Sequence, residues 1–584
     1  MAAPYSIKFE PNSPLMLRDG TITYVDIFRP DAGGGFPALL QRTPYDKSTP
    51  SSRTYSLDAI RAAMAGYAVV IQDIRGRFSS DGEFYTFTDE MNDGFDSIEW
   101  VAGQPWCNGK VGMYGSSYVG ATQWLAAKSL PPSLAAIAPG QTASDYHEGW
   151  AWQGGASQLG FNLEWTLDNL TSANWDNLAN RLYLSPRQLD ILIEAKDKVE
   201  TGYRYLPMKE LPDLEGGMAP YYYDWLDHPE YDEYWKRISI EEAHSDITVP
   251  AFNYGGWYDI FLGGTLNNFT GMRESGGSDN ARRGQRLVIG PWVHGGIGTS
   301  VAGERGFGSQ ASSFGLDMQG QILRYYDYWL KGEDNGVADE KPVRIFVMGE
   351  NVWRTEDKWP LERAESVNYY LHSQGRANTL NGDGLLDVQT PNVGEPPDVY
   401  VYNPIDPVPT RGGQIISDPG VYPAGAFDQR PTESRHDVLV YTTPPLEHYM
   451  EVTGPITVTL YASTSAEDTD FTAKLVDVRP DGYARNLTDG IVRARYRVAK
   501  TPADPIESGE VYEYTIDLWA TSNLFWKDHR IRLEISSSNF PRFDRNANTG
   551  GPIGDDRTVV SALQTIHHDS TYPSHVTLPL VPRD

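Results

Sequence analysis

The run Val111-Gly-Met-Tyr-Gly-Ser-Ser-Tyr-Val-Gly-Ala121 constrains this chain more than any other. Lys110–Tyr114 reads as a short buried strand, and Ala121–Lys128 is made largely of good helix formers. Ser117 lies between them, and a serine on a sharp strand-to-helix turn has the geometry of a nucleophile elbow. Gly115 and Gly120 have a steric reason to flank it. A Cβ in so tight a turn collides with strand or helix, and only glycine takes such backbone angles cheaply. The spacing is Gly-x-Ser-x-x-Gly rather than the usual Gly-x-Ser-x-Gly. Taken alone, the run leaves a second reading open, in which Ser116 and Ser117 are small polar residues in an ordinary βα loop.

The surrounding chain supplies the context. Residues 5–30 alternate as a hairpin does, with a turn at Asp19-Gly20. Phe36–Gln41 is a strand leading into the loop Arg42–Lys47, marked by Pro44. Residues 56–65 read as a helix closed by Gly66. Tyr67–Gln72 is a nearly unbroken apolar run, expected of a strand buried on both faces. Glu90–Ala102 is helical, and Leu134–Ala138 is one more strand. This alternation predicts a mostly parallel sheet with helices on both faces over residues 1–144. Residues 145–246 change character: helical spacing at Leu178–Leu184 and Gln188–Val199, many aromatic and acidic residues, and no convincing strand. They read as a helical cap insertion. The βα pattern returns over 247–344, with strands Val249–Tyr254 and Arg286–Gly290 and a helix Met318–Leu330.

From 345 to 584 the pattern is nearly all strand. Val452–Ala462, Phe471–Val478, Val492–Val498, Tyr512–Leu518 and Arg530–Ser536 alternate in period two, separated by Pro, Gly and Asp turns. An antiparallel sandwich of the jelly-roll kind is expected. No internal repeat or low-complexity tract is present.

Composition narrows the function classes. The 584 residues carry a net charge of −29, which disfavours nucleic acid and anionic membrane as partners. Cys107 is the only cysteine, so neither an intrachain disulfide nor a multi-thiolate metal site is expected. No basic-then-apolar leader and no run of about 20 apolar residues appears, so a cytoplasmic location is expected. No metal or organic cofactor is signalled.

A serine hydroxyl is a weak nucleophile and needs a base and a group to orient that base. In doubly wound hydrolases the order is Ser, then Asp or Glu, then His, each just past a strand. Ser117, Asp259 and His294 follow that order in that context. The alternative is that Asp259 caps a helix and His294 falls there by chance. His147, His228 and His244 lie in or beside the insertion, and the histidines from His372 onward lie in the β region. An oxyanion formed by attack of Ser117 needs donors. One expected donor is the backbone N–H of Tyr118. A second must come from the loop after an earlier strand, where the Tyr45 hydroxyl is the candidate, against the alternative that Tyr45 is a packed loop aromatic.

The motifs Pro44–Lys47, Gln72–Gly76, Gly112–Tyr118, Gly256–Asp259, Gly290–His294, Asp470–Asp477 and Ser536–Pro541 make the chain resemble the bacterial cocaine esterase family of α/β-hydrolases. The wider superfamily includes Xaa-Pro dipeptidyl-peptidases and α-amino-acid ester hydrolases. The resemblance spans almost the whole chain. It implies an α/β-hydrolase core with a helical cap and a C-terminal jelly roll, and it implies Tyr45 as an oxyanion donor. It further implies an apolar acyl pocket at Trp150, Trp165 and Phe261. Near Gly412-Gly413 the match weakens: Ile416-Ser417 stands where the family has an apolar pair closing the pocket. After Asp259 the chain has Ile260-Phe261-Leu262, with no acidic residue to hold a substrate ammonium.

The resulting expectation is a serine carboxylesterase acting on a small-molecule ester with an apolar, aromatic or branched, acyl group. The alternatives are an amidase (an acylase or a dipeptidyl-peptidase) and a carbohydrate-binding protein with a vestigial hydrolase core. The sequence does not fix the oligomeric state, and a homodimer is one state open to it.

Overall fold

The computed structural model describes residues 5–583 apart from 173, 174, 215 and 216. Ten strands build the first sheet: β1 Ile7–Met16, β2 Ile22–Pro30, β3 Phe36–Thr43, β4 Ala68–Asp73, β5 Cys107–Ser116, β6 Leu134–Gly140, β7 Phe252–Tyr258, β8 Arg286–Val293, β9 Val343–Val347 and β10 Val352–Glu356. Their order is β1-β2-β4-β3-β5-β6-β7-β8-β9-β10. From β4 through β9 neighbours run parallel, while β1, β2 and β10 pair antiparallel at the edges. β4, inside the sheet, is buried along its length, which is why its sequence is a near-continuous apolar run rather than an alternating one. The helix expected over Glu90–Ala102 spans those residues. The one expected over 56–65 is shorter, Ala59–Met64, because the Asp58 side chain caps it by accepting from the Arg61 N–H.

Between β6 and β7 the chain is mostly helical, led by Leu159–Leu170 and Pro186–Asp197. It also holds a hairpin of two-residue strands, Trp152–Gln153 and Ala156–Ser157, turned by Gly154 and Gly155 at positive φ. That hairpin is too short to show alternation. The helix expected to run to Leu330 ends as an α-helix at Tyr326 and continues as one π-helical turn to Lys331.

The C-terminal region is mostly β, with a short helix at Arg430–Glu433, and its eleven-stranded hydrogen-bonded sheet is paired antiparallel except for one parallel contact, Leu385 with Thr442. Its apolar core, with Val458, Leu460, Leu475, Ile516 and Leu533, is continuous with Trp257, Leu287 and Ile345 of the first sheet. The strand expected at Val492–Val498 is displaced: the strand runs Ala484–Arg493 and gives way to a 3₁₀ turn at Ala494–Tyr496. Period two fails there because Ala484–Arg493 is buried on both faces and its polar side chains are paired. Asp489 accepts from Arg542 and from Asn539 Nδ2 at 2.8 Å, and the Arg493 guanidinium bonds Asp470 and Asp544. The Tyr258 hydroxyl at the end of β7 donates to the Asn486 carbonyl at 3.1 Å, which ties this strand to the first sheet beside the site. Among the described residues no helix is long and apolar enough to cross a membrane.

Candidate active site

Ser117 follows the last residue of β5 and directly precedes the helix Tyr118–Lys128. Its φ of 67° and ψ of −130° are a conformation that non-glycine residues seldom adopt, and such residues cluster at functional sites. The turn is held by the Ser117 N–H donating to the Gly140 carbonyl at 3.0 Å. The unusual spacing now has a physical cause. Val119, two residues after the serine, lies over Gly115, where any Cβ would run into the valine side chain. Gly120 takes the close approach to β6, since a Cβ there would sit 2.8 Å from the Gly140 carbonyl oxygen. The second glycine thus falls where the helix approaches β6, one place after Val119.

Asp259 directly follows β7 and His294 directly follows β8, so all three side chains emerge at the C-terminal edge of one parallel sheet. His294 Nε2 is 2.9 Å from Ser117 Oγ, and His294 Nδ1 is 3.0 Å from Asp259 Oδ1. Asp259 is wholly buried and the His294 side chain is 15% exposed. The same carboxylate oxygen accepts the Phe261 N–H at 3.0 Å, which fixes its orientation. A carboxylate facing Nδ1 puts the ring hydrogen there and leaves Nε2 free to accept from the serine. The other histidines considered from sequence are engaged elsewhere. His147 Nε2 faces the Pro229 carbonyl, His228 pairs with Asp232 and His244 with Asn268.

The Tyr118 N–H is the first of its helix and has no carbonyl to pair with inside that helix. The Tyr118 side chain points away from this role, its hydroxyl accepting from the Phe87 N–H and donating to Glu90. Tyr45 follows β3, and its hydroxyl oxygen accepts the Trp165 indole N–H at 3.0 Å. Ser117 is its other hydrogen-bonding neighbour. Burial raises the phenol above its ordinary range, so Tyr45 remains a donor.

A cavity of about 310 Å³ opens over Ser117 and His294. Tyr45, Phe161, Trp165, Val119 and Ile416 supply its ring and aliphatic surface, and Tyr55, Ser52 and Ser56 line it as well. No carboxylate lines it among the described residues. Of the four residues expected at the acyl pocket, Trp165 and Ile416 line this cavity, whereas Trp150 and Phe261 do not. Both are buried behind it, stacked on one another at 4.4 Å and 16°. Phe261 turns its edge against the His294 ring, 5.2 Å between centroids. It sits three residues past the end of β7, and its ring packs against Trp150 and the imidazole rather than on the cavity. Phe161, four residues before Trp165 and so on the same helix face, is the wall residue that sequence reasoning passed over.

Comparison with known proteins agrees with this architecture. The X-Pro dipeptidyl-peptidase (S15 family) model matches residues 19–296, and the X-Pro dipeptidyl-peptidase C-terminal non-catalytic domain matches residues 335–577. The cocaine esterase of Rhodococcus sp. (strain MB1 Bresler) is 41% identical over 584 residues, covering 98% of each chain. Two solved structures superpose over nearly the whole length. One is an aminopeptidase from a marine sediment archaeon, Thaumarchaeota archaeon (TM-score 0.80, 26% identity, 99% of this chain and 97% of that one). The other is an α-amino acid ester hydrolase (TM-score 0.78, 25% identity, 99% and 97%). The chain belongs to the cocaine esterase-like family of α/β-hydrolases and is a serine hydrolase.

Proposed function

We propose that this protein is a carboxylesterase that cleaves esters of apolar, aromatic or branched, acids through Ser117, His294 and Asp259. The observation that carries the reading is the line of contacts Ser117 Oγ to His294 Nε2 (2.9 Å) and His294 Nδ1 to Asp259 (3.0 Å) at the floor of a largely apolar cavity. In the reaction, His294 Nε2 takes the serine proton as Oγ bonds to the acyl carbon, and the carbonyl electron pair moves onto oxygen. The Tyr118 N–H and the Tyr45 O–H donate to that oxyanion. Its collapse breaks the bond to the alkoxide, which takes the proton from His294 and leaves as the alcohol. Water then repeats the sequence on the acyl-enzyme and releases the acid. Asp259 holds the imidazole in the required tautomer and stabilises its charged form. Phe161, Trp165 and Ile416 favour an apolar acyl group because burying its surface is worth about 25 cal/mol per Å².

The second reading, cleavage of an amide next to a free amino end, draws on the family's peptidase members. The cavity wall argues against it, since a substrate ammonium would meet no carboxylate there. Matched p-nitrophenyl esters and p-nitroanilides of the same acids, including an Xaa-Pro anilide, test the choice. Faster turnover of benzoyl and branched acyl esters than of acetyl esters, with slow anilides, is expected. An Xaa-Pro anilide turned over faster than the esters would move the assignment to a peptidase.

A further inference from the structure

We infer that Gln141 is the positioning residue of His294: its side-chain amide grips the backbone on both sides of the histidine and sets the imidazole in line with Ser117. The inference rests on the reading of His294 as the base. Gln141 Nε2 donates to the Val293 carbonyl at 3.0 Å, and the Gly295 N–H donates to Gln141 Oε1 at 3.3 Å. One amide thus pairs with the peptide groups immediately before and after residue 294, as a neighbouring strand would. β8 ends at Val293, so its ladder no longer fixes the chain at the histidine itself. Oε1 also accepts from the Tyr55 hydroxyl at 3.3 Å and from Ser116 Oγ at 3.4 Å, which orients the amide with its NH₂ toward Val293.

The backbone of Gln141 is placed for the same purpose. It follows β6, the strand between the one bearing Ser117 and the one bearing Asp259. Its N–H donates to the Tyr254 carbonyl of β7 at 2.7 Å, while the preceding Gly140 carbonyl accepts from Ser117. Residues 140 and 141 therefore touch the supports of all three reacting side chains. Gln141 is wholly buried and takes φ of 42°, a left-handed conformation unusual for a non-glycine residue. Strain of that kind persists where the surroundings over-determine it, and here the over-determination is the set of bonds that ends at His294. A packing role alone would be served by an apolar side chain of the same size. It would not account for an acceptor and a donor meeting the two peptide groups that flank one residue.

Two variants test the assignment against the wild type. Gln141→Leu keeps the volume and removes both halves of the grip. It is expected to lower kcat by roughly 10²-fold, the scale of a small misplacement of a reacting group, with KM changed only a few-fold. Labelling of Ser117 by a fluorophosphonate should slow in parallel. Gln141→Glu keeps the acceptor facing Gly295, Tyr55 and Ser116, three donors that favour its ionised form, and loses the donor to Val293. It should retain more kcat than the leucine variant. Its charge beside the imidazole should move the acid limb of kcat/KM to higher pH. A merely structural glutamine would leave the split between kcat and KM unmoved. The inference is overturned if folded Gln141→Leu keeps wild-type kcat, or if its loss appears wholly in KM. Where the leucine variant does not fold, wild-type kcat in Gln141→Glu on the alkaline side of its acid limb overturns it. Abolished turnover in His294→Ala beside an unimpaired Gln141→Leu would remove the grip and leave the hydrolase reading standing. Turnover that survives His294→Ala would remove that reading first.

Discussion

The Trp165 indole N–H donates to the Tyr45 hydroxyl across 3.0 Å. An indole nitrogen can only donate, so this bond occupies an acceptor site on the phenol oxygen and leaves the phenol's own hydrogen for another partner. The tryptophan expected from sequence to serve the acyl pocket thus orients the phenol proposed as oxyanion donor. Tyr45→Phe should lower kcat by about 10²–10³-fold, the loss associated with one oxyanion donor. Trp165→Phe should lower it by less, and adding it to Tyr45→Phe should cost little more. Single-turnover acylation of the three variants checks the coupling.

The elbow depends on Gly115 as much as on Ser117. Gly115→Ala puts a β-carbon at φ of 137° and into Val119. Backbone strain of this kind costs on the order of 1–3 kcal/mol before any clash is counted. Gly115→Ala should melt earlier and label slowly at Ser117. Val119→Ala in the same chain should recover part of both, because the obstructing side chain is then gone. Thermal melts and labelling rates of the single and double variants decide it.

Under the proposed function, the cavity wall selects which acids fit. Phe161→Ala should enlarge the space over Ser117 and shift the kcat/KM ranking toward bulkier acyl groups, with benzoyl esters losing relative to larger aromatic ones. Discrimination of about 1–3 kcal/mol per step in size is the scale set by apolar pockets. Trp150→Phe, behind the wall, should leave the ranking unchanged. Competition between paired esters measures it.

Acidity should reach stability through Glu148. Burial raises its carboxyl to about 7, while its Oε1 accepts the Gly154 N–H at 2.9 Å. Between the ordinary glutamate value of about 4.5 and about 7, the folded chain holds a proton that the unfolded chain has released. This group's contribution is therefore complete below about 4.5 and is lost as pH rises through about 7. Glu148→Gln keeps an acceptor for Gly154 and cannot ionise. The fall in melting temperature across that interval should be shallower in this variant than in the wild type.

Much of this arrangement was readable in the linear chain. Strand ends are announced by apolar runs that stop at Gly, Pro or Asp, and Ser117, Asp259 and His294 each stand just past one. The Glu90–Ala102 helix carries its own boundaries. Other parts depend on three-dimensional meetings that leave no local trace. The strand Ala484–Arg493 loses its alternation because both faces are buried, so its polar residues imitate a loop. Phe261 and Trp150 sit behind the cavity and not on it, since spacing from a motif does not tell which way a side chain turns. Gln141 carries no motif at all; its contacts with Tyr254 of β7 and Val293 of β8 arise only in the fold.

The most direct test of the central claim is to treat the protein with a fluorophosphonate and map the modified peptide by mass spectrometry. The account predicts a single adduct on Ser117, formed at a rate that collapses in His294→Ala and drops strongly in Asp259→Asn. An adduct on another residue, or labelling of Ser117 at an unchanged rate without His294, would contradict it.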